Sequence, residues 1–310
     1  MRILVTGGAG FIGTNVCNDL TTAGHHVRAI DDFSTGRLEK VRDAAYEVVE
    51  MTILNDSMRA HVEWSEAVVH LAAIPSVPRS VDAPFASHEA NATGTLRVLE
   101  WATHAESQPH VIVASSSSVY GANPTLPKRE DMVCRPMSPY AVSKLATEQY
   151  AMAWQQTYSL PTLAFRFFNV FGPGQMPGHA YAAVVPAFLD AAIKGEPVMV
   201  HGDGNQSRDF TYVGTVAAVI RTAIEQRIAH PIPVNLAFGT RVSLLRLLDE
   251  MEALLGMTIS RAHVEQRRGD VPHSQADNTL LRGLVPEVQP VELAEGLAQT
   301  IAWFKSFGER

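Results

Sequence analysis

Tyr140 and Lys144 are four residues apart in a stretch that, after Pro139, has the composition of a helix. One helical turn would stack the two side chains on the same face. An ammonium group beside a phenol stabilises the phenolate, so this spacing predicts a tyrosine whose pKa is lowered toward neutrality and which can act as a general base or acid. The pair alone is common, but the polar strand end from Ser115 to Ser118 makes it more specific, because its hydroxyls could orient a substrate alcohol toward the phenolate.

Three glycines near the start of the chain predict a phosphate-binding turn. Gly7, Gly10 and Gly13 stand between a predicted strand, Arg2–Thr6, and a predicted helix, Phe11–Ala23. Bare backbone allows the close approach of a pyrophosphate, and the helix N-terminus offers that anion free N–H groups and a positive dipole. The placement between strand and helix favours a dinucleotide site over an ordinary turn.

Asp31 ends the next predicted strand, at the distance from the glycines that a ribose contact requires. Its carboxylate could accept hydrogen bonds from adenosine ribose hydroxyls, whereas a 2′-phosphate would be repelled by Asp31 and Asp32 together. NAD is therefore favoured over NADP as the cofactor. Arg28 and Arg37 are near enough in sequence to keep NADP open as an alternative.

The composition is that of a globular protein without a basic footprint. Apolar residues make up 46% and charged residues 18% of the 310, the net charge is −7, and Lys/Arg runs are lacking. We therefore expect no nucleic-acid partner and no membrane partner. Cys17 and Cys134 are too few for a disulfide framework, and the twelve histidines show no ligand spacing. We therefore expect no bound metal. The apolar start is too short for a signal peptide, so a cytoplasmic protein is expected.

Strands and helices alternate along the first half of the chain. After the first strand and helix, strands are predicted at Val27–Ile30, Glu47–Glu50, Ala67–Leu71, His110–Ser115 and Thr162–Phe168. This order predicts an α/β fold on a doubly wound parallel sheet with right-handed crossovers.

The texture of the sequence changes after about Asn169, where glycines and prolines crowd a loop. We expect residues 1–168 plus about 210–236 to form the cofactor domain, and about 169–209 plus 237–310 to form a smaller, discontinuous α/β substrate domain. The division is discontinuous because Val213–Ile228 has the pattern of another helix and Ile232–Leu236 that of a strand that could rejoin the first sheet.

Motifs of one family run almost from end to end of the chain. They are Thr-Gly-Gly-Ala-Gly-Phe-Ile-Gly from Thr6, Asp-Asp-Phe-Ser-Thr-Gly from Asp31, His-Leu-Ala-Ala from His70, Asn91 before Thr93-Gly94-Thr95, Ser-Ser-Ser-Ser-Val-Tyr-Gly from Ser115, Tyr140 with Lys144, Arg-Phe-Phe-Asn-Val-Phe-Gly-Pro from Arg166, Gly-Asp-Gly-Asn-Gln-Ser-Arg-Asp-Phe from Gly202, and Arg267 with Gly269-Asp270. The chain thereby resembles the extended short-chain dehydrogenase/reductase family, in its nucleotide-sugar epimerase and dehydratase branch. The resemblance implies a Rossmann sheet, bound NAD, a nucleotide-sugar substrate with a UDP-sugar first, and a homodimer.

The resemblance also implies residue roles. Tyr140 would be the catalytic base, Lys144 would hold the nicotinamide ribose, Ser116 would bridge substrate and tyrosine, and Ser117 would assist. The implied cofactor contacts are Gly7, Gly10, Phe11, Ile12, Gly13, Asp31, Asp32, Leu71, Ala72, Ala73, Asn91, Ser115, Tyr140 and Lys144. The implied substrate contacts are Ser76, Ser116, Asn169, Arg208, Arg267, Asp270 and Ser274. One departure concerns the adenine contact, because Glu50-Met51-Thr52 stands where the family usually has Gly-Asp.

The residues after the fifth strand favour one reaction within the family. Dehydratases carry Thr-Asp-Glu there, and the acidic pair moves the protons of water loss; this chain has Ser116, Ser117 and Ser118. Oxidation and re-reduction at C4 needs only Tyr140 and NAD, so 4-epimerisation is expected. The small Ser274 would permit an N-acetylated sugar, since a bulky residue there restricts the sugar 2-substituent.

Several alternatives share most of these motifs. A UDP-glucuronate 4-epimerase, a decarboxylase and a deoxysugar reductase are the enzymatic ones, although uronate epimerases typically have threonine at the position of Asn169. An NAD-sensing regulator is the non-enzymatic one, and the presence of Tyr140 and Lys144 counts against it because such proteins usually lack the pair.

Overall fold

A computed structural model of the chain describes residues 1–177, 183–265 and 272–308, with side chains up to residue 306. The strands are β1 (Arg2–Thr6), β2 (His26–Asp31), β3 (Glu47–Glu50), β4 (Ala67–His70), β5 (His110–Ser116), β6 (Thr162–Phe167), β7 (Val170–Phe171), β8 (Val198–His201), β9 (Ser207–Arg208), β10 (Thr211–Tyr212), β11 (Val234–Leu236), β12 (Val242–Ser243) and β13 (Arg261–Val264). The α-helices are α1 (Phe11–Thr22), α2 (Met58–Trp64), α3 (Val77–Asp82), α4 (Pro84–His88), α5 (Gly94–His104), α6 (Pro139–Tyr158), α7 (Val184–Lys194), α8 (Val213–Glu225), α9 (Leu244–Leu255), α10 (Thr279–Leu284) and α11 (Leu293–Gly308). Short 3₁₀ turns lie at Leu38–Lys40 and Ser117–Tyr120, and a π-helical turn, Glu89–Thr93, joins α4 to α5.

Seven strands form one parallel sheet in the order β11-β6-β5-β4-β1-β2-β3. From β1 the chain continues to β2 and β3 on one side, and then crosses to β4, β5, β6 and β11 on the other. The direction of winding therefore reverses between β1 and β4, which is where a doubly wound sheet opens a crevice for a ligand. The predicted fold class is confirmed.

Both faces of the sheet are buried, which explains the nearly continuous apolar runs in its strands. Ile3 and Val5 of β1 pack toward α1 and α8, while Leu4, between them, packs on the opposite face toward α2 and α5. This alternation follows from the two-residue period of a strand. The carboxyl ends of the strands, where the crevice opens, are thus held in place by two apolar layers.

The predicted strand Ile232–Leu236 is present as Val234–Leu236 and pairs in parallel with β6, at the edge of the sheet. A separate apolar cluster joins α7, α9 and α11, and β8 pairs with β13 beside it. The boundaries of the two domains remain a prediction. Within the described parts of the chain, no helix combines the length and apolar character needed to cross a membrane.

Candidate active site

A cavity of about 740 Å³ opens at the carboxyl ends of the strands, at the reversal between β1 and β4. Most residues that the sequence singled out lie on its wall. These are Gly7, Gly10, Phe11, Ile12, Gly13, Asp31, Asp32, Leu71, Ala72, Ala73, Ser76, Ser115, Ser116, Tyr140, Lys144 and Asn169. Four others, Asn91, Ser117, Arg208 and Ser274, are not part of that wall, and Arg267 and Asp270 lie outside the described residues.

The glycine turn packs too tightly for side chains. Gly7 has a φ of +71°, and its N–H donates to the carbonyl of Ile30 at 2.7 Å. A Cβ on Gly13 would lie 2.0 Å from the carbonyl oxygen of Gly7, and one on Gly7 would lie 2.8 Å from the amide nitrogen of Ala72. Gly10 precedes α1 without a side-chain cap, so the first N–H groups of that helix face the cavity uncovered.

Asp31 is held in place by the backbone around it. One carboxylate oxygen accepts from the N–H of Ala9 and the other from the N–H of Phe33, both at 2.9 Å. The side chain is buried, and that burial raises the pKa of Asp31. A carboxylate has about four acceptor positions, so capacity remains for a ribose. Asp32 is exposed and accepts from the N–H of Ser34, so it closes a local turn.

A buried relay of hydrogen bonds fixes the start of the β4 loop. The hydroxyl of Thr6 accepts from the N–H of Ala72 at 3.2 Å and lies 2.8 Å from Nδ1 of His70. Nε2 of His70 is 3.1 Å from the hydroxyl of Thr95, which itself donates to the carbonyl of Asn91. Nε2 therefore carries the hydrogen and His70 is neutral. Burial, with the nearby Lys144 charge, lowers the pKa of His70 to about 3.

Asn91 supports the cavity from behind. Its side-chain oxygen accepts from the N–H of Ile74 at 2.8 Å, and its amide donates to the hydroxyl of Ser143 at 2.9 Å. The side chain is 1% exposed, so it ties the β4 loop to α6. Direct contact of Asn91 with a cofactor stays a prediction.

Tyr140, Ser116 and Lys144 share one wall of the cavity. Nζ of Lys144 donates to the carbonyl of Ala114 at 2.9 Å, and burial lowers the pKa of Lys144 to about 8. The sequence predicted a Tyr140 pKa lowered by Lys144, and this is wrong for the arrangement seen here. Burial raises the pKa of Tyr140, and a hydrogen bond with Ser116 opposes that rise.

Ser115 and Ser117 differ from Ser116 in what they contact. The hydroxyl of Ser115 donates to the carboxylate of Glu148 at 2.7 Å, behind the cavity wall. Ser117 begins the 3₁₀ turn, and the N–H of Ser118 donates to the hydroxyl of Ser116 at 3.1 Å. Of Ser116, Ser117 and Ser118, the tight turn therefore brings Ser116 to the cavity.

One predicted substrate residue, Asn169, contacts Asp209, a buried carboxylate that was not among the predicted site residues. Asp209 is fully buried and accepts from the N–H groups of Gly239 and Thr240 and from the N–H of Ala276 at 2.9 Å. The amide of Asn169 donates to the carbonyl of Asp209 at 3.1 Å. Burial raises the pKa of Asp209 to about 6. Asp209 thus joins three distant segments next to Asn169.

Two further substrate candidates are close to this hub. Arg208 donates to the carbonyl of Pro272 at 3.2 Å, and the N–H of Ser274 donates to the carbonyl of Ser207 at 3.0 Å. Both residues therefore lie where the segment before Asp209 meets the segment that carries Ala276.

Ser76 lies on the cavity wall in an unusual backbone conformation. Its φ is +130°, a region that residues other than glycine rarely adopt. Its hydroxyl accepts from the N–H of Arg79 and so caps α3. Ser76 thus begins a helix at the edge of the cavity.

Thr52, at the departure from the family pattern, does line the cavity. Its hydroxyl accepts a long 3.4 Å hydrogen bond from the N–H of Leu54, and the preceding residue, Met51, donates to the carbonyl of Asp31 at 3.0 Å. Thr52 therefore stands beside the residue predicted to hold the ribose.

Comparisons with known proteins agree with this fold and crevice. Residues 3–237 match the model of the NAD dependent epimerase/dehydratase family. The chain is 35% identical over 317 residues to a UDP-glucose 4-epimerase of Mycolicibacterium smegmatis, covering 99% of each chain. The chain belongs to the NAD-dependent epimerase/dehydratase family, which confirms the predictions of the family, of an enzyme and of NAD.

Two solved structures are similar over nearly the whole chain. The UDP-N-acetylglucosamine 4-epimerase from Methanobrevibacter ruminantium M1, in complex with UDP-N-acetylmuramic acid, has a TM-score of 0.93 at 33% identity and covers 99% of this chain and 98% of its own. The UDP-glucuronic acid 4-epimerase from Bacillus cereus, in complex with UDP-glucuronic acid and NAD, has a TM-score of 0.89 at 28% identity, with coverage of 99% and 100%.

Proposed function

We propose that this protein is a UDP-sugar 4-epimerase that acts on a UDP-hexose or UDP-N-acetylhexosamine through a transient 4-keto sugar. The observation that carries the proposal is that Tyr140, Ser116 and Lys144 line the same cavity as the glycine turn. A proton-transfer group and a dinucleotide-binding turn thereby face one space, as oxidation of a sugar alcohol requires.

The described residues fit the cofactor. A Cβ at Gly7 or Gly13 would collide with backbone, so the turn keeps bare amides at the start of α1 for a pyrophosphate. Asp31 would accept from the adenosine ribose, and Lys144 would donate to the nicotinamide ribose. Bound NAD supplies the hydride acceptor and donor for the sugar carbon.

Tyr140 would remove the proton of the sugar 4-hydroxyl and later return it. Ser116 would bridge the sugar hydroxyl and the phenol, and its hydrogen bond favours the phenolate, which burial disfavours. Lys144, one helical turn along α6, brings its ammonium group to the same cavity. Ser117, which begins the 3₁₀ turn after Ser116, would assist Ser116. These residues move one proton and hold one alcohol, which is what epimerisation needs.

Water elimination would need a further acid and base at the end of β5. That position carries Ser116, Ser117 and Ser118, whose hydroxyls are neither acidic nor basic enough for that role at neutral pH. Serines there favour epimerisation over dehydration.

Substrate binding would fall to the residues around Asp209. Asn169 lies on the cavity wall, and Arg208 and Ser274 are on adjoining segments. A guanidinium fork suits phosphate oxygens, so Arg208 and Arg267 would hold the diphosphate. Ser76 and Asp270 complete the proposed set, and the small Ser274 would admit an acetamido group.

UDP-glucuronate is the second candidate substrate, because a structural neighbour is named for it. Purified protein would be incubated with UDP-glucose, UDP-N-acetylglucosamine and UDP-glucuronate, and the products read by proton NMR. We expect conversion of at least one neutral sugar to its 4-epimer, and Tyr140→Phe should abolish it while NAD stays bound. Conversion of UDP-glucuronate alone would contradict the proposed substrate class, and full activity of Tyr140→Phe would contradict the mechanism.

We also propose a cytoplasmic homodimer. Phe85 on α4 is 90% exposed and Val142 on α6 is 50% exposed, and packing against a second copy would remove both from water. Sedimentation at several protein concentrations tests this.

A further inference from the structure

Lys40 connects two sides of the cavity. It ends the 3₁₀ turn in the connection between β2 and β3, nine positions after Asp31, and its side chain lines the cavity. Nζ of Lys40 donates to the carbonyl of Gly174 at 2.7 Å. Gly174 belongs to the loop at residues 172–177, which follows β7. Lys40 comes from the side of the cavity where Asp31 would hold the ribose. Its hydrogen bond therefore connects that side to the loop that follows Asn169 and β7.

The same loop is held over the start of α1. The side-chain amide of Asn15 donates to the carbonyl of Pro173 at 3.0 Å and to that of Phe11 at 2.9 Å. Gly174 has a φ of +88°, and a Cβ there would lie 3.6 Å from the Asn15 amide. Pro173 and Gly174 therefore lie against the first turns of the helix whose N-terminus faces the cavity.

The ammonium group of Lys40 has no ion-pair partner among the residues that the structure describes. Throughout residues 1–177, 183–265 and 272–308, ion pairs join other residues, and none includes Lys40. The ammonium is half-buried, has three donors, and meets a neutral carbonyl. Burial, together with repulsion from Arg37, lowers the pKa of Lys40 to about 8, although attraction to the Asp31 carboxylate opposes that shift. A half-buried cation of this kind is stabilised when an anion enters the cleft.

We propose that Lys40 binds a phosphate of NAD while it keeps its hydrogen bond to Gly174, so that cofactor binding fixes the 172–177 loop. Gln175 and Met176 of that loop line the same cavity. Binding of the cofactor to Lys40 would thus order the loop that carries Gln175 and Met176 at the cavity. The inference rests on the proposed placement of the NAD pyrophosphate at the glycine turn, and deepens it.

The test compares ligands that contain different parts of the cofactor. The full chain is stripped of nucleotide, and NAD, ADP-ribose and adenosine are titrated by calorimetry into wild type, Lys40→Met, Lys40→Arg and Lys194→Met. Lys194 is a matched control because it is exposed and pairs with Asp190 on the surface of α7. We expect Lys40→Met to weaken NAD and ADP-ribose by at least about tenfold, the size of a lost charge-assisted hydrogen bond. Adenosine should be unaffected, Lys40→Arg should recover much of the loss, and Lys194→Met should match wild type.

Hydrogen exchange of the 172–177 amides gives a second readout. NAD should slow their exchange in wild type and in Lys194→Met, but much less in Lys40→Met at saturating NAD. Wild-type affinity for NAD in Lys40→Met would overturn the proposal, and so would an equal loss for adenosine that Lys40→Arg does not recover. Neither readout needs turnover, so a protein that failed to epimerise any sugar but gave these results would refute the proposed function and leave the role of Lys40 standing.

Discussion

The carboxylate of Glu148 and the guanidinium of Arg166 meet at 2.6 Å behind the end of β5, with side chains 0% and 3% exposed. A second contact, at 2.9 Å, makes the pair bidentate, and Ser115 donates to the same carboxylate. Glu148 is one helical turn beyond Lys144 on α6. The ion pair and the Ser115 contact therefore hold β5, β6 and α6 together beside Ser116, Tyr140 and Lys144.

Removing one partner should destabilise the protein strongly. Glu148→Ala leaves a buried guanidinium without its anion, and we expect the free energy of unfolding to fall by about 3–5 kcal/mol. Urea denaturation followed by circular dichroism measures this. Glu63→Ala is the matched control, because the Arg59–Glu63 pair is exposed and should contribute less than about 1 kcal/mol. Equal losses in the two variants would show that the buried pair does not brace the wall.

Features that depend on nearby residues could be predicted from the sequence. Tyr140 and Lys144 are on one helix, and the turn from Gly7 to Gly13 joins one strand to the next helix. The alternating order of strands and helices also predicted the parallel sheet. Such features follow from short-range periodicity and need no knowledge of distant contacts.

Features that depend on distant residues could not be predicted in this way. Asp209 lies in the motif that starts at Gly202, but it accepts from Ala276, 67 positions away, and the motif does not predict that contact. The direction of the Tyr140 pKa depends on burial, and Lys144 donates to Ala114 on a separate strand. The Asp209 contacts and the Tyr140 pKa both depend on residues that are distant in the sequence and close in the fold.

The glycine turn should not tolerate a methyl group at its last glycine. Gly13→Ala places a Cβ 2.0 Å from the carbonyl of Gly7, which is backbone and cannot rotate away. We expect NAD affinity to fall at least about 100-fold, since the turn must open and lose its approach to the pyrophosphate. Calorimetric titration of NAD tests this. Gly283→Ala is the control, because a Cβ there meets nothing within 4 Å, and it should bind NAD like wild type. Unchanged affinity in Gly13→Ala would remove the turn from the cofactor site.

Loss of the Ser116 hydroxyl should change the pH dependence of turnover. The hydrogen bond with Ser116 lowers the pKa of Tyr140, against the raising effect of burial. Without it the phenolate forms at higher pH, so the ascending limb of the kcat/KM profile should move to higher pH in Ser116→Ala, with a smaller maximum. The profile is measured with the best sugar found by NMR. A limb at the wild-type pH would mean that Ser116 does not contact the reacting phenol.

His110 should make the protein less stable in mild acid. Burial lowers the pKa of His110 from 6.5 to about 4, although a hydrogen bond to the carbonyl of Ile228 opposes the shift. Between these values the unfolded chain binds the proton and the folded chain does not, so the free energy of unfolding falls as pH drops from 6.5 toward 4, by up to about 3 kcal/mol. Asp209, with its pKa raised to about 6, acts in the opposite direction, so variants must be compared. The His110→Gln variant keeps a hydrogen-bond donor for Ile228 but cannot titrate. Its free energy of unfolding should therefore fall less between pH 7 and 5 than that of wild type. His88→Gln, at an exposed position on α4, is the control and should behave like wild type. Urea unfolding at the two pH values measures the difference, and identical slopes for His110→Gln and wild type would mean that His110 titrates normally in the folded state.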